Sequence, residues 1–319
     1  MQTKMNETNA PLVSIRCITY NHEKYIRDAL EGFVMQKTNF KFEAIVHDDA
    51  STDNTAAIIR EYAEKYPDII KPIFETENQY SKHDGSLTRI VNTACKGKYI
   101  AYCEGDDYWT DPNKLQKQVD LMESNPNCTL CYHACKNIYE DENIYYPFGE
   151  TVKETYNRVN ILSYPFQTAT VLLKKEVLTS DIYRKAIATQ CSSGDILIFL
   201  SASTLGAIKG INEQMSVYRR HGNGVSISMW GKKNLYHNYV SWAKIGKLFG
   251  GEIKKHIEEK KLSSFIISSF FEKKDIRLTF KIFCYGIIHS PRSIYYSLLT
   301  ISTRGLSKIQ KKLKHINQI

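Results

Sequence analysis

Glu104-Gly105-Asp106-Asp107 puts three carboxylates into one short segment. Like charges held that close raise one another's pKa unless a cation is present. Oxygen-rich clusters of this kind suit Mg2+ or Mn2+, which take few protein ligands and share the rest with phosphates. The competing reading is helix capping or a solvated acidic turn. Asp111 with Pro112 behind it already has the residue types to open the next helix, so the cluster is free for chemistry. A second pair, Asp48-Asp49, either caps the helix that follows or accepts hydrogen bonds from a nucleobase or a ribose. The phosphate-cradling alternatives are missing: there is no G-x-x-x-x-G-K-[ST] loop, no strand-linked G-x-G-x-x-G and no H-E-x-x-H. A diphosphate here must be held by metal and basic groups.

The elements that carry these residues follow from periodicity. Leu12–Cys17, Phe42–His47, Ile69–Phe74 and Tyr99–Cys103 are expected strands. Between them, helices bury Ile26, Ala29, Leu30, Phe33 and Val34, then Ile58, Ile59, Tyr62, Ala63 and Tyr66, then Leu87, Ile90, Val91 and Ala94. A further helix with Leu115, Val119 and Met122 follows Asp111. Strands alternating with helices indicate an α/β domain with a mainly parallel sheet, and ligands of such sheets sit at the carboxyl ends of strands. Both acidic clusters fall there, one after the second strand and one after the fourth. Beyond them, Thr168–Leu173 reads as a strand, Gly194-Asp195 opens a helix with Ile196, Leu197, Phe199 and Leu200, and the strand Met215–Tyr218 ends in Arg219-Arg220-His221-Gly222-Asn223-Gly224. Cys128, Cys131, His133 and Cys135 have zinc-like composition. Their run reads better as a strand, whose alternate residues face apart and cannot converge on one ion.

The order of Cys17-Ile18-Thr19-Tyr20-Asn21-His22, Asp48-Asp49-Ala50-Ser51-Thr52-Asp53, Gly97-Lys98-Tyr99-Ile100-Ala101 and Glu104-Gly105-Asp106-Asp107 resembles the family 2 glycosyltransferases of the GT-A fold. The resemblance covers roughly Pro11 to Ser226. Gly194-Asp195 and Tyr218-Arg219-Arg220-His221 resemble later motifs of a bacterial capsule, lipopolysaccharide and teichoic-acid branch. The resemblance implies a GT-A fold with a Rossmann-like nucleotide-binding sheet. It implies metal-dependent, inverting hexosyl transfer from a nucleotide-diphosphate sugar, a UDP-sugar by preference, to an acceptor hydroxyl in cell-surface polysaccharide or glycolipid synthesis. By position, Thr19, Tyr20 and Asn21 would line the nucleotide pocket. Asp48 with Asp49 would meet the base, and Arg89 a base or phosphate. Glu104, Gly105 and Asp106 would form the D-x-D-like donor site, with Glu for the first Asp. Asp106 and His221 would hold Mn2+ or Mg2+, Arg219 would face the diphosphate, and Asp195 would be the catalytic base. One carboxylate suffices to take the acceptor proton, a cation with His221 or Arg219 offsets the leaving charge, and in-line attack inverts the sugar carbon. A nucleotide-sugar hydrolase or nucleotidyltransferase on a similar scaffold is the alternative. A nucleotidyltransferase would need a Gly-rich or Lys-rich triphosphate loop, which is not found.

The 319 residues, 42% of them hydrophobic, suit one large domain or a domain with an appendage. The expected division is a catalytic domain at 1–230, with a nucleotide-sugar half at about 11–125 and an acceptor half at about 126–230, and a basic helical extension at 231–319. Of the 43 Lys and Arg and 34 Asp and Glu, 18 and 5 lie from Gly231 onward, leaving 25 against 29 before it. A mildly acidic body thus carries a basic tail, expected to meet an anionic membrane rather than nucleic acid. No apolar run approaches the roughly 20 residues that span a bilayer, and Met1–Ala10 lacks a signal core. The expected location is cytoplasmic, peripheral on the inner membrane face. Asp141–Tyr164 is the expected acceptor loop.

Overall fold

The computed structural model describes residues 10–139, 145–146, 152, 156–163, 166–191, 193–221, 235–271 and 276–301. Most of Asp141–Tyr164, and Gly222-Asn223-Gly224, lie outside the described residues. The chain divides into two units, Met1–Tyr183 with Ile198–Gly224, and Arg184–Leu197 with Val225–Ile319.

The first unit is built on one sheet. Its strands are β1 (Val13–Thr19), β2 (Phe42–Asp48), β3 (Ile70–Phe74), β4 (Tyr99–Tyr102), β5 (Tyr108–Trp109), β6 (Cys128–Tyr139), β7 (Tyr145–Tyr146), β8 (Leu172–Lys174) and β9 (Ala207–Arg220). Their order is β3-β2-β1-β4-β8-β6-β9-β5, with β7 paired to β6. The run β3-β2-β1-β4 is parallel; β8 is antiparallel to β4 and β6, β9 runs parallel to β6, and β5 runs antiparallel to β9. β1 lies between two parallel neighbours and is buried along nearly its whole length. Its residues alternate, Val13, Ile15 and Cys17 with Ser14 and Arg16, yet both sets are buried, as in a central parallel strand covered on both faces.

Helices α1 (Ile26–Val34), α2 (Thr55–Lys65), α3 (Ser86–Ala94) and α4 (Lys114–Glu123) connect the strands. In α1, Ile26, Ala29, Leu30 and Phe33 fall at i, i+3, i+4 and i+7 and are all fully buried. Phe33 meets Trp109 edge to face at 5.2 Å; burying such a ring contributes about 1.5–3 kcal/mol.

Three expectations need correction. α4 begins at Lys114, not at Asp111: the Asp111 carboxylate accepts from the Asn113 backbone N–H at 2.7 Å and pairs with Lys117 Nζ at 2.7 Å, which tightens the turn ahead of the helix. Thr168–Thr170 is a 3-10 turn, and the strand starts only at Leu172. β9 runs for 14 residues, because it pairs with β6 across irregularities at Cys128/Leu130, His133/Ala134 and Ala134/Cys135. These register shifts break the simple alternation that sequence periodicity depends on. Cys128, Cys131, His133 and Cys135 are buried along β6.

The second unit contributes the helices Leu235–Phe249, Gly251–His256, Ser263–Phe271, Ile276–His289 and 291–301, with a π-helical stretch at Ile257–Leu262. Tyr239 is fully buried there, its hydroxyl 2.6 Å from Ser293 Oγ. Among the described residues, no helix is long and apolar enough to cross a membrane.

Candidate active site

The end of β4 delivers the acidic turn into a cage of three segments. Gly105 donates its backbone N–H to Ile18 O at 2.9 Å. A Cβ at this position would lie 2.7 Å from both Thr19 Cβ and Oγ1, and 3.1 Å from His22 Nδ1. Glycine is therefore required by contact, not by backbone angle: only a bare Cα lets the turn press against the end of β1. The same contact places His22 beside Asp106.

Asp106 Oδ2 lies 3.1 Å from His221 Nε2 and 3.9 Å from His22 Nε2. The ligand atoms of His22, Asp106 and His221 all fall within 4.8 Å of one another. Burial pushes the Asp106 carboxyl up, but the hydrogen bond with His221 and the proximity of His22 outweigh it and hold the group below its ordinary value. Two imidazoles and a carboxylate, each offering one atom to a common point, fit a divalent cation with positions left for phosphate oxygens. Burial lowers His22, which favours the neutral imidazole that metals bind.

The flanking acids serve differently. Glu104 accepts from Thr168 Oγ1 at 2.9 Å, and its carboxyl is raised by burial, with Arg16 opposing and Asp106 adding to the rise. Asp107 accepts the Arg219 backbone N–H at 2.8 Å. Burial, with Asp106 and Glu104 adding to it, pushes its carboxyl well up, and its Oδ2 is buried without a partner. Thr19 Oγ1 is likewise buried and unpartnered. Unsatisfied buried oxygens are costly, and a water or a ligand group at either would satisfy it.

Arg219 is committed to the protein. Its guanidinium donates to Asp106 O at 3.1 Å, pairs with Asp28 of α1, and stacks over Tyr108 at 4.3 Å. These contacts tie the end of β9 to the acidic turn and bring the following His221 onto Asp106.

The second acidic pair divides its labour. Asp48 is buried at the end of β2, opposite Thr19 in register. Its Oδ1 accepts from Ser51 Oγ at 2.5 Å and its Oδ2 from Ser51 N–H at 3.3 Å. Burial raises its carboxyl, with the Ser51 bonds opposing. Asp49 spends both oxygens on the chain: Oδ1 accepts from Gln79 N–H at 2.7 Å and Oδ2 from Tyr80 N–H at 3.0 Å. Asn21, at φ 55°, links the two strand ends by donating its N–H to Ser51 Oγ at 2.9 Å and accepting from Thr52 N–H at 2.8 Å.

The structure thus brings Thr19, Glu104, Gly105, Asp106, Arg219 and His221 to one strand end, and Asn21, Asp48 and Asp49 to the adjacent one. Tyr20 is exposed beside them. Arg89 is exposed on α3, close enough to Asp84 for its charge to be felt there. Asp195 belongs to the second unit. It lies in the first turn of the helix Gly194–Leu205, accepts from Ile196 N–H at 2.9 Å, and has its carboxyl raised by burial, with Lys261 opposing. Sequence reasoning missed His22 as a ligand candidate, and Asp28 and Tyr108 as the partners of Arg219. His22 stood inside a quoted motif, but its role depends on the steric fit of Gly105.

The model of glycosyl transferase family 2 matches residues 14–177. An uncharacterised protein of Mycobacterium tuberculosis is 38% identical over 216 residues, spanning 67% of this chain and 60% of that protein's length. A Bacillus subtilis protein assigned by name to teichuronic acid biosynthesis as a glycosyltransferase, TuaG, is 28% identical over 226 residues, covering 69% of this chain and 83% of its own. Among solved structures, that of S. aureus TarS in complex with UDP-GlcNAc superposes with a TM-score of 0.59 at 20% identity, covering 81% of this chain and 72% of that one.

Proposed function

From the premise that the chain belongs to glycosyl transferase family 2, we propose that it moves a sugar from a nucleoside-diphosphate sugar, UDP-linked by preference, to an acceptor hydroxyl with inversion. The observation that carries this reading is the His22–Asp106–His221 cluster at the carboxyl end of a parallel strand, beside a buried aspartate at the end of a second. That S. aureus TarS was solved with UDP-GlcNAc supports the choice of donor class.

In this reading His22, Asp106 and His221 hold a divalent cation, Mn2+ or Mg2+. The ion would supply positive charge where the leaving diphosphate becomes more negative. Asp48 keeps lone pairs beyond its Ser51 bonds and accepts from the base or ribose. Thr19 Oγ1 gains a partner when the nucleotide fills the pocket, and Tyr20 lies over it. Asp49 and Asn21 act one step back, by holding the loops that shape this pocket. Arg219 positions the acidic turn and His221. Asp195 receives the acceptor proton, and burial, by raising its carboxyl, brings its basicity nearer to that task.

We take the acceptor to be a glycan or lipid-linked glycan of a cell-surface polymer at the inner membrane face. The name of the B. subtilis relative supports that class. The test is acceptor-dependent label transfer from UDP-sugars with membrane extract from a polysaccharide-making bacterium. Transfer to lipid-extractable or polymeric product, lost in Asp195→Asn while nucleotide binding persists, is expected. Release of free sugar with no dependence on extract would instead make the protein a hydrolase.

A further inference from the structure

The second unit exposes apolar surface where a soluble helical unit would show charge. Among the described residues, ten large hydrophobic side chains are exposed, and six of them are Phe280, Ile287, Ile288, Tyr295, Leu298 and Leu299, each 47% to 74% exposed. They sit on the consecutive helices Ile276–His289 and 291–301. On the first helix, Phe280, Ile287 and Ile288 share one side with exposed Cys284, because positions three, four, seven and eight apart fall on one face. Ile282, on the other side, is fully buried. On the second helix, Tyr295, Leu298 and Leu299 form the outer stripe while Ser293, Ile294 and Ser297 face inward. The first helix is therefore apolar on both faces, and the second is apolar outside while burying two serines inside. Beside the outer stripe lies a shallow cleft of about 360 Å³, lined by Tyr236, Phe280, Cys284, Tyr285, Ile288 and the polar pair Lys281 and His289.

Charge selects the occupant. Exposed Arg277, Lys281 and Arg292 border the apolar stripe. From Ile276 to Ile319 the sequence holds eight Lys and Arg and no Asp or Glu. An apolar stripe whose own helices carry Arg277, Lys281 and Arg292 and no acid matches the interface of an anionic leaflet, where side chains insert below the headgroups and each cation adds favourable electrostatics. The acids that act on the second helix, Glu258 and Glu259, lie on the π-helical stretch and are felt at Arg292 and Tyr296. A protein partner of ordinary composition would be matched by charges of both signs. We propose that the outer face of these two helices inserts into an anionic phospholipid surface. This rests on the proposed membrane-borne acceptor for its purpose, but not for its physics.

The test uses the full chain with vesicles of phosphatidylcholine alone or with added phosphatidylglycerol. Co-sedimentation is expected with the anionic vesicles and not the neutral ones, weakening about tenfold or more between low and high salt. Phe280→Ser with Ile288→Ser should cut the bound fraction about tenfold at low salt. Arg277→Gln with Lys281→Gln and Arg292→Gln should do the same. All these positions are exposed, and thermal melts check that the variants fold. An environment-sensitive thiol label on Cys284 should shift to the blue with anionic vesicles only. Unchanged pelleting of both variants, or a label that stays water-exposed while the protein pellets, overturns the proposal. So does a loss of self-association in the Ser variant seen by sedimentation velocity without vesicles, which would assign the face to a second copy. Binding of UDP with Mn2+ is measured on the same samples: its persistence when vesicle binding fails condemns the surface alone, and its failure when vesicle binding holds condemns the transferase reading alone.

Discussion

At residue scale, the constraint that bears on the candidate site is the contact of Gly105 with Thr19 and His22. A methyl group there has 2.7 Å where it needs more than 3 Å, and its neighbours are a strand end and a metal-ligand candidate. Gly105→Ala should therefore push His22 away from Asp106 without unfolding the sheet. The expected outcome in a Mn2+ titration is an affinity loss of about 10–100-fold, the span typical for displacing the support of a metal site. His22→Ala should lose at least as much, while His47→Ala should leave Mn2+ affinity unchanged, since His47, on β2, pairs with Glu75 just past β3 and is not part of the cluster. Equal Mn2+ affinity for wild type and His22→Ala would remove His22 from the ligand set. Asp106 was legible as a ligand candidate because three acids at a strand end are unusual in themselves. His22 was not, because a histidine one residue past Asn21 has many bland uses, and only the packed turn shows which way it faces. Arg219 is a mixed case. Its type and place pointed to a diphosphate, and the structure adds partners the sequence did not show: Asp28, Asp106 O and Tyr108.

At the scale of elements, the parallel half of the sheet was readable because β1, β2, β3 and β4 are separated by helices with clear apolar stripes. The mixed half was less so. β8 is only three residues long and β9 pairs through bulges, so neither leaves a sustained period in the sequence. The start of α4 hides a further feature that the pattern of Leu115, Val119 and Met122 does not reveal. Lys114 is fully buried, with Nζ 3.9 Å from the Trp109 ring centroid and 2.6 Å from Gln118 Oε1. Burial pushes its ammonium down to about 7, against about 10.4 for an unfolded lysine. The unfolded chain thus holds more protons between those values. The penalty is complete below about 7 and is relieved as pH rises toward the unfolded value, so this group makes stability increase with pH over that window. At about 1.4 kcal/mol per unit, the cost at neutral pH is on the order of 4 kcal/mol. Lys114→Met removes that cost but orphans Gln118 Oε1, which returns about 1–3 kcal/mol. The variant should be more stable than wild type by about 1–3 kcal/mol at pH 7 in urea unfolding, with the advantage shrinking or reversing by about pH 9.5. A difference that does not change with pH would mean that Lys114 titrates normally.

At the scale of the whole molecule, the two units differ in what they hold: the first has the His22–Asp106–His221 cluster, and the second has Asp195, with Lys261 among the groups that act on its carboxyl. The charge asymmetry was plain in the sequence, with 18 basic against 5 acidic residues from Gly231 onward. Which faces of the second unit are exposed and apolar was not, because one helix is apolar on both sides and the other buries serines while exposing Tyr295, Leu298 and Leu299, so neither points its apolar stripe plainly inward. If Asp195 is the base, it works only when ionised. Burial raises its carboxyl, so turnover should fall as pH drops through a value above the ordinary aspartate range of about 3.9. Asp195→Asn should cost about 10²–10⁴-fold in turnover with donor binding nearly intact. An acid limb unchanged in a residually active Asp195→Asn would assign that limb to another group.

The central claim is that Asp106 and its two histidines hold the diphosphate of a nucleotide sugar through a divalent cation. Calorimetric titration of UDP into the full chain, with Mn2+ and then with EDTA, for wild type and Asp106→Ala, tests it most directly. The account predicts saturable 1:1 binding to wild type with Mn2+, and a loss of at least about tenfold in affinity with EDTA or with Asp106→Ala, which corresponds to about 1.4 kcal/mol or more. UDP binding of equal strength in all of these conditions, or none in any while GDP binds with Mn2+ to wild type and Asp106→Ala alike, would contradict it.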